Sequence, residues 1–338
     1  MTAADNPSPL QVAIAGEALI DLIRQPDGSY QPCLGGALYN LCRALARQGV
    51  GTLYLNPLSR DRFGRELAAQ LAADGVHLAQ PEPVVQVTSL AVVNLNAHGH
   101  PDYAFYREGV ADRAVTAGGL TQACAALPAL EVVCTGALAL DERDTATYLP
   151  WLQTQRSAGR CVVVDANLRP SVMPDLAAYR TTVHAALQHA HIIKASDEDL
   201  DHLGVPGTDA LSRARHLLDA NPQARLLALT LGAEGAWLLH SDGTQCFAKE
   251  AQPLQVIDTV GAGDSFLAGL LAHLLRQAQA KDVASFVQFV DTLSAEIGQH
   301  ALRHALASAS LCVMEQGCVP PGWEAASQWA EMHSAATR

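Results

Sequence analysis

Short apolar runs alternate with amphipathic stretches along most of the chain. Residues 12–15 form an apolar strand ending in Gly16-Glu17, and 19–23 continue extended with Asp21 among them. Pro26-Asp27-Gly28 reads as a turn and 30–33 as a second strand. From Ala37 the period changes. Leu38, Leu41, Ala44 and Leu45 recur at helical spacing, and Gly49 ends a helix expected over 37–48. A strand over 53–55 and a helix over 65–74, stopped by Gly75, come next. Such strand–helix alternation marks a parallel sheet covered on both faces.

Residues 84–106 break the rhythm. Two β-rich runs, 88–95 and 103–106, flank the turn His98-Gly99-His100-Pro101, a hairpin with no helix inside it. With 19–33 it is expected to form a small separate sheet, standing off the main one as a lid. The rhythm then resumes. Strands are expected over 131–134, over 161–165 with three successive valines before Asp165, at Ile192-Ile193 before Lys194, and over 226–230. A helix is expected around 142–157. Residues 237–240 and 245–248 read as an antiparallel pair turning at Ser241-Asp242-Gly243. Phe266, Leu267, Leu270, Leu271, Leu274 and Leu275 mark a helix from Ser265. The tail over 283–312 is mainly helical, stopped by Gly317 and Pro320-Pro321. There is no internal repeat and no low-complexity linker.

Composition narrows the function classes. Of 338 residues, 49% are hydrophobic and 17% charged, enough for a sizeable core and unlike a disordered chain. Net charge is −12, and the only lysines are Lys194, Lys249 and Lys281. No basic stripe is present, so neither a nucleic acid nor an anionic membrane is an expected partner. No run is long enough to span a membrane, and 1–10 lack an apolar signal core, so a soluble, cytoplasmic protein is expected. The eight cysteines form no C-x-x-C pair and read as buried reduced thiols.

The candidate chemistry centres on Asp258-Thr259-Val260-Gly261-Ala262-Gly263-Asp264. A glycine turn feeding a helix N-terminus presents free N–H groups and the positive end of the helix dipole, an anion site. It is not a Walker loop, because Asp264 stands where lysine is required. It is not a dinucleotide fingerprint, because Phe266 stands where glycine or alanine is required and the loop comes late in the chain. Two roles remain open for Asp264: a cap on the helix, or a base that takes a proton from a hydroxyl attacking phosphorus.

Asp258 to Phe266 resembles the C-terminal signature of the ribokinase-like (PfkB) sugar kinases. Gly35-Gly36-Ala37-Leu38-Tyr39-Asn40 resembles that family's first signature. Asp165-Ala166-Asn167-Leu168-Arg169 resembles its D-P-N-x-R segment, with Ala166 for proline. Thr230-Leu231-Gly232-Ala233-Glu234-Gly235 resembles its nucleotide-side turn. The four matches occur in the family's order. The resemblance implies one kinase domain over 1–338, a three-layer α/β/α fold with a mostly parallel central sheet and a small β-sheet lid from about 17–34 and 84–110. It implies ATP-dependent phosphorylation of a primary hydroxyl of a small sugar.

The resemblance also implies roles. Asp264 is the base, and Gly261, Ala262 and Gly263 form the anion hole. Asp21, Gly35, Gly36 and Asn40 hold the sugar. Asn167 lies near the phosphates or their Mg²⁺, and Arg169 contacts phosphate or substrate. Lys194-Ala195-Ser196-Asp197-Glu198-Asp199 resembles the N-x-x-E element that orders Mg²⁺ through water. Ser196 stands there for asparagine, as in many fructokinases, and either Glu198 or Asp199 is the metal-side acid. Lys194, Ser196, Thr230, Gly232 and Gly235 are implied on the nucleotide side, with His304 bordering the adenine pocket and Leu306 where asparagine is frequent. Relatives with a backbone cation site near Asp258 raise K⁺ as a further cofactor. Tyr106 and Arg107 resemble the lid strand of fructokinases and of 2-keto-3-deoxygluconate kinases. Arg107 suits either a substrate carboxylate or ketose hydroxyls. Ser196, Asp21 and Glu17 favour fructose. A non-catalytic sugar or nucleotide sensor is the alternative of a different class, and a homodimer through apolar residues of the lid is the expected assembly.

Overall fold

The computed structural model describes residues 9–95, 101–281 and 283–333. The strands are β1 (Val12–Ile14), β2 (Leu19–Arg24), β3 (Tyr30–Gly35), β4 (Thr52–Tyr54), β5 (His77–Leu78), β6 (Ser89–Leu95), β7 (Pro101–Tyr106), β8 (Val132–Gly136), β9 (Cys161–Asp165), β10 (Ile192–Ser196), β11 (Leu226–Thr230), β12 (Ala236–His240) and β13 (Gln245–Ala248). The helices are α1 (Ala37–Arg47), α2 (Arg62–Ala73), α3 (Ala117–Ala125), α4 (Thr145–Ser157), α5 (Leu176–Leu187), α6 (Asp197–Leu203), α7 (Ala210–Asp219), α8 (Ala262–Ala280), α9 (Phe286–Asp291), α10 (Ala295–Cys312) and α11 (Trp323–Met332).

Among the described residues one sheet has the order β13-β12-β11-β10-β9-β8-β1-β4-β5. Its strands from β11 to β5 pair in parallel, and β12 and β13 close one edge antiparallel. Successive strand residues face opposite cores. Val12 and Ile14 pack with α1, α2, α8, α9 and α10, while Ala13 and Ala15 pack with α3 to α7. Both faces are therefore covered, which is why β9 carries three fully buried valines. The result is a three-layer α/β/α core.

The second sheet, β3-β2-β6-β7, is the lid. The β6–β7 hairpin forms as the alternation predicts, and β2 joins it in parallel through β6. The residues of its expected turn from His98 to His100 lie outside the described residues.

Some boundaries differ from the sequence pattern. Helix α2 starts three residues early because Asp61 caps it, accepting from Gly64 N at 2.8 Å. The segment over 142–157 divides into a 3₁₀ turn at Glu142–Asp144 and then α4. Helix α8 starts at Ala262, not Ser265, so Asp264 lies inside its first turn. It runs flush against α10, and a Cβ on Gly269 would lie 2.4 Å from Ser308 Oγ. All eight cysteines are free thiols. Among the described residues no helix is long and apolar enough to cross a membrane.

Candidate active site

The register brings one set of residues to one edge of the main sheet. Lys194 pairs with Asp165 across β10 and β9, and Ser196 with Thr230 across β10 and β11. These strands are parallel, so their carboxyl ends open together, where ligands bind in open α/β sheets. The N-termini of α1 and α8 reach the same place. Asn40, in the first turn of α1, donates from Nδ2 to Asp264 Oδ2 at 3.0 Å. Asn40 Oδ1 is buried with no hydrogen-bond partner among the described residues.

The loop before α8 is held from its own tail. Asp258 Oδ1 accepts from Val260 N at 3.0 Å and Oδ2 from Gly317 N at 2.9 Å. Gly261 is the N-cap of α8 at φ 78°, and no side chain caps the helix. Ala262 N donates to Thr259 O at 3.3 Å, but among the described residues the N–H groups of Gly263 and Asp264 are left for a ligand, and Asp264 is not spent as a cap. The glycines have steric reasons. A Cβ on Gly261 would lie 2.2 Å from Cys318 Sγ, and one on Gly263 would lie 3.1 Å from Lys194 Nζ.

Burial raises the Asp264 carboxyl to about 6. Asp165 pushes the same way, while the Asn40 amide, Lys194 and Arg169 pull it down. The outcome is a carboxylate ionised at neutral pH yet close to the range of a working base. Asp165 is buried and paired with Lys194 at 3.0 Å. Asn167 follows it at φ 35°, a left-handed corner that asparagine tolerates. Leu168 N pins this corner to Asp199 Oδ1 at 2.7 Å. Arg169 is exposed and, among the described residues, makes no ion pair. Its charge acts on Asp21, Asp165 and Asp264.

Asp21 lies on β2 of the lid. Burial raises its carboxyl to about 6, against the pull of Arg169. A Cβ on Gly35 would lie 2.4 Å from Asp21 Oδ2. Gly36 has φ 111°, and a Cβ there would lie 2.6 Å from Glu17 O. Glu17 itself caps α1, accepting from Ala37 N at 2.9 Å. Burial raises its carboxyl to about 7, although Arg107 pulls it down. Sequence reasoning gave Glu17 only a contextual part, because a cap supplied from twenty residues upstream leaves no local pattern. It also missed Asp112, five residues on, as the partner of Arg107, and Cys318, a long-range contact, as the wall behind Gly261.

On the nucleotide side, Thr230 ends β11. Gly232 and Gly235 turn the chain with φ 53° and 106°, and a Cβ on Gly235 would lie 2.4 Å from Ala248 O. Asp199 is committed to structure, since its Oδ2 accepts from Ser196 N at 2.7 Å and from Ser196 Oγ at 2.8 Å. Glu198 is the exposed acid beside it. Among the described residues no three metal-ligating side chains converge. Exposed carboxylates at Asp197 and Glu198 with, among the described residues, no cage suit a hydrated Mg²⁺ carried mainly by phosphates.

Arg107, Tyr106 and His304 complete the expected set. Arg107 is buried, with Nη2 3.2 Å from Asp112 Oδ2 and Nη1 donating to Leu138 O at 3.0 Å. Tyr106 is 62% exposed at the end of β7. His304 is buried, with Nε2 2.8 Å from Gln48 Oε1 and its ring against Trp323 and His273. Gln48 follows Asn40 by eight residues and His273 follows Asp264 by nine, which places this cluster about 12 Å down the helices from the loop. Burial, not a ligand, explains why its pKa falls to about 3, helped by His273 and Arg276.

Residues 10–325 match the pfkB family carbohydrate kinases. The chain belongs to this family. It is 34% identical over 268 residues to a fructokinase of Rhizobium leguminosarum bv. trifolii, covering 78% of this chain and 79% of that one. It is 31% identical over 292 residues to a fructokinase of Vibrio alginolyticus, covering 83% and 90%. Its fold is similar to the crystal structure of a Xylella fastidiosa fructokinase with bound ATP, with TM-score 0.80, 24% identity, and 96% and 99% of the two chains covered. It is also similar to a Vibrio cholerae O395 fructokinase bound to fructose, ADP and calcium, with TM-score 0.75, 23% identity, and 95% and 99% covered. As a pfkB carbohydrate kinase, the chain is an ATP-dependent sugar kinase with the ribokinase-like fold.

Proposed function

We propose that this kinase moves the γ-phosphoryl group of ATP to a primary hydroxyl of fructose, with Asp264 as the base. The carrying observation is that Asp264 is buried, oriented by Asn40 and not used as a cap, beside a helix N-terminus open to an anion. In the step the sugar oxygen forms a bond to Pγ, the β–γ bridging P–O bond breaks, ADP leaves, and the sugar proton passes to a carboxylate oxygen of Asp264. The turn Gly261 to Gly263 faces the transferring group through backbone N–H groups, with Arg169, in no ion pair among the described residues, as a cation nearby. Asp21 accepts sugar hydroxyls, and the free Asn40 Oδ1 accepts one more. Gly35 and Gly36 admit the sugar to the backbone. Asn167, Ser196, Thr230, Gly232 and Gly235 line the phosphate and ribose side. We take the chain as one kinase domain, with its lid at about 17–34 and 84–110.

The second reading is a 2-keto-3-deoxygluconate kinase. It needs a cation free for a substrate carboxylate; Arg107 already answers Asp112, and Arg169 is the cation assigned to the transferring phosphoryl group. A neutral ketose is the better match. A panel of fructose, ribose and 2-keto-3-deoxygluconate, read by ADP release, tests this. The highest kcat/KM is expected on fructose. A preference for the keto acid would install the second reading, and no turnover on any of the three would favour a sensor.

Bound with ATP, Mg²⁺ would supply charge neutralisation, and Glu198 would order its waters. Glu198→Gln is expected to raise the Mg²⁺ concentration for half-maximal rate several-fold. An unchanged Mg²⁺ titration would remove Glu198 from this role, and the same titration with and without K⁺ tests a monovalent requirement. Tyr30, Val85, Val87 and Tyr106 expose apolar surface on and beside the lid, consistent with a lid-to-lid dimer. Light scattering of the full chain is expected to give a dimer mass, and a monomer at micromolar concentration would refute it.

A further inference from the structure

Lys194 is enclosed. It is 4% exposed, and its Nζ lies 3.0 Å and 3.3 Å from the two carboxylate oxygens of Asp165. On its other side is the backbone of Gly263, where an added Cβ would stand 3.1 Å from Nζ. Burial works against its charge, but Asp165, Asp199 and Asp264 outweigh burial and hold the ammonium protonated. Its place suits action through its neighbours better than contact with a nucleotide.

We infer that Lys194 is a positioning residue whose ammonium, fixed by Asp165 against Gly263, keeps Asp264 ionised and backs the phosphoryl cradle with positive charge. The inference rests on Asp264 being the base. The charged and titratable groups facing Asp264 are Asp165 from β9, Lys194 from β10, Arg169 from the turn after β9, and the thiols of Cys312 and Cys318 from the end of α10 and the tail. Asn40 faces it from α1 as a neutral donor. Among these, Asp165 and Lys194 are locked together and act on Asp264 with opposite signs. Removing either one unmasks the other. Arg169 is exposed and therefore screened by water.

The test is the acid limb of kcat at saturating fructose and ATP, where Asp21 is already engaged by the sugar, measured on the full chain and on Lys194→Met, Asp165→Asn and the double variant. The limb is expected to move up by about one pH unit in Lys194→Met, down in Asp165→Asn, and back near wild type in the double variant. KM for ATP should change less than about threefold in Lys194→Met. A merely structural role would lower rates at every pH without moving the limb in opposite directions. An unmoved limb in Lys194→Met, or a KM for ATP raised about tenfold or more with the limb in place, would overturn the inference. If Lys194→Met does not fold, Asp165→Asn decides: a limb below wild type supports the inference, and one at or above wild type sinks it. If Asp264→Asn keeps the wild-type limb, the limb is not that of Asp264, and the assignment of the base fails instead.

Discussion

Asp264→Asn is expected to lower kcat by about 10²–10⁴-fold while fructose affinity stays within a few-fold of wild type. The amide keeps the shape of the carboxylate and can still face Asn40, but it cannot take a proton. The helix should be undisturbed, because Asp264 contributes no cap to α8. Stability should not fall either. Burial raises the Asp264 carboxyl to about 6, above its unfolded value, so its charge at neutral pH is a cost to the folded state. Calorimetric binding of fructose beside steady-state turnover separates the two effects. Wild-type turnover would remove the base, and a parallel loss of fructose binding would make Asp264 a sugar ligand first.

Gly261→Ala is the second large effect. At φ 78° a non-glycine residue costs about 1–2 kcal/mol, and the new Cβ would stand 2.2 Å from Cys318 Sγ. The turn must shift, and a displacement on the order of 1 Å in a positioning element costs about 10²-fold in rate. The loss is expected in kcat and in ATP use, with fructose binding retained, since Asp21 and Asn40 are untouched. Adding Cys318→Gly should return the steric part of the loss but not the part due to backbone strain. Unaltered kinetics in Gly261→Ala would mean that the turn does not hold the phosphoryl group.

The main sheet and the lid were legible because their signals are local. Three valines before Asp165, the helical spacing of leucines after Asp264 and the helix-free hairpin each declare an element within a few residues. Helices α3, α5, α7 and α11 were not. Helix α3 carries Gly118-Gly119, α5 carries Thr181-Thr182-Val183, and α11 follows two prolines, all poor helix signals overridden by packing. The register that sets Lys194 beside Asp165 belongs to pairing between strands, which no single segment encodes. Asp264 shows the same limit. Its sequence neighbourhood allowed both a cap and a base, and the hydrogen bond that separates them comes from Asn40, 224 positions away. His304 shows a related limit. Its place in the chain matched the resemblance, but its ring turns into the core toward Gln48 and Trp323.

The most direct measurement is the pH dependence of kcat/KM for fructose at saturating ATP and Mg²⁺, in wild type and in Asp264→Asn. A base must be ionised to accept a proton, so the wild-type rate should fall as pH drops through about 6. The residual rate of Asp264→Asn should be low, keeping only the shallower acid fall that Asp21, also raised to about 6, brings to fructose binding. The same limb and a comparable rate in both proteins would contradict the account.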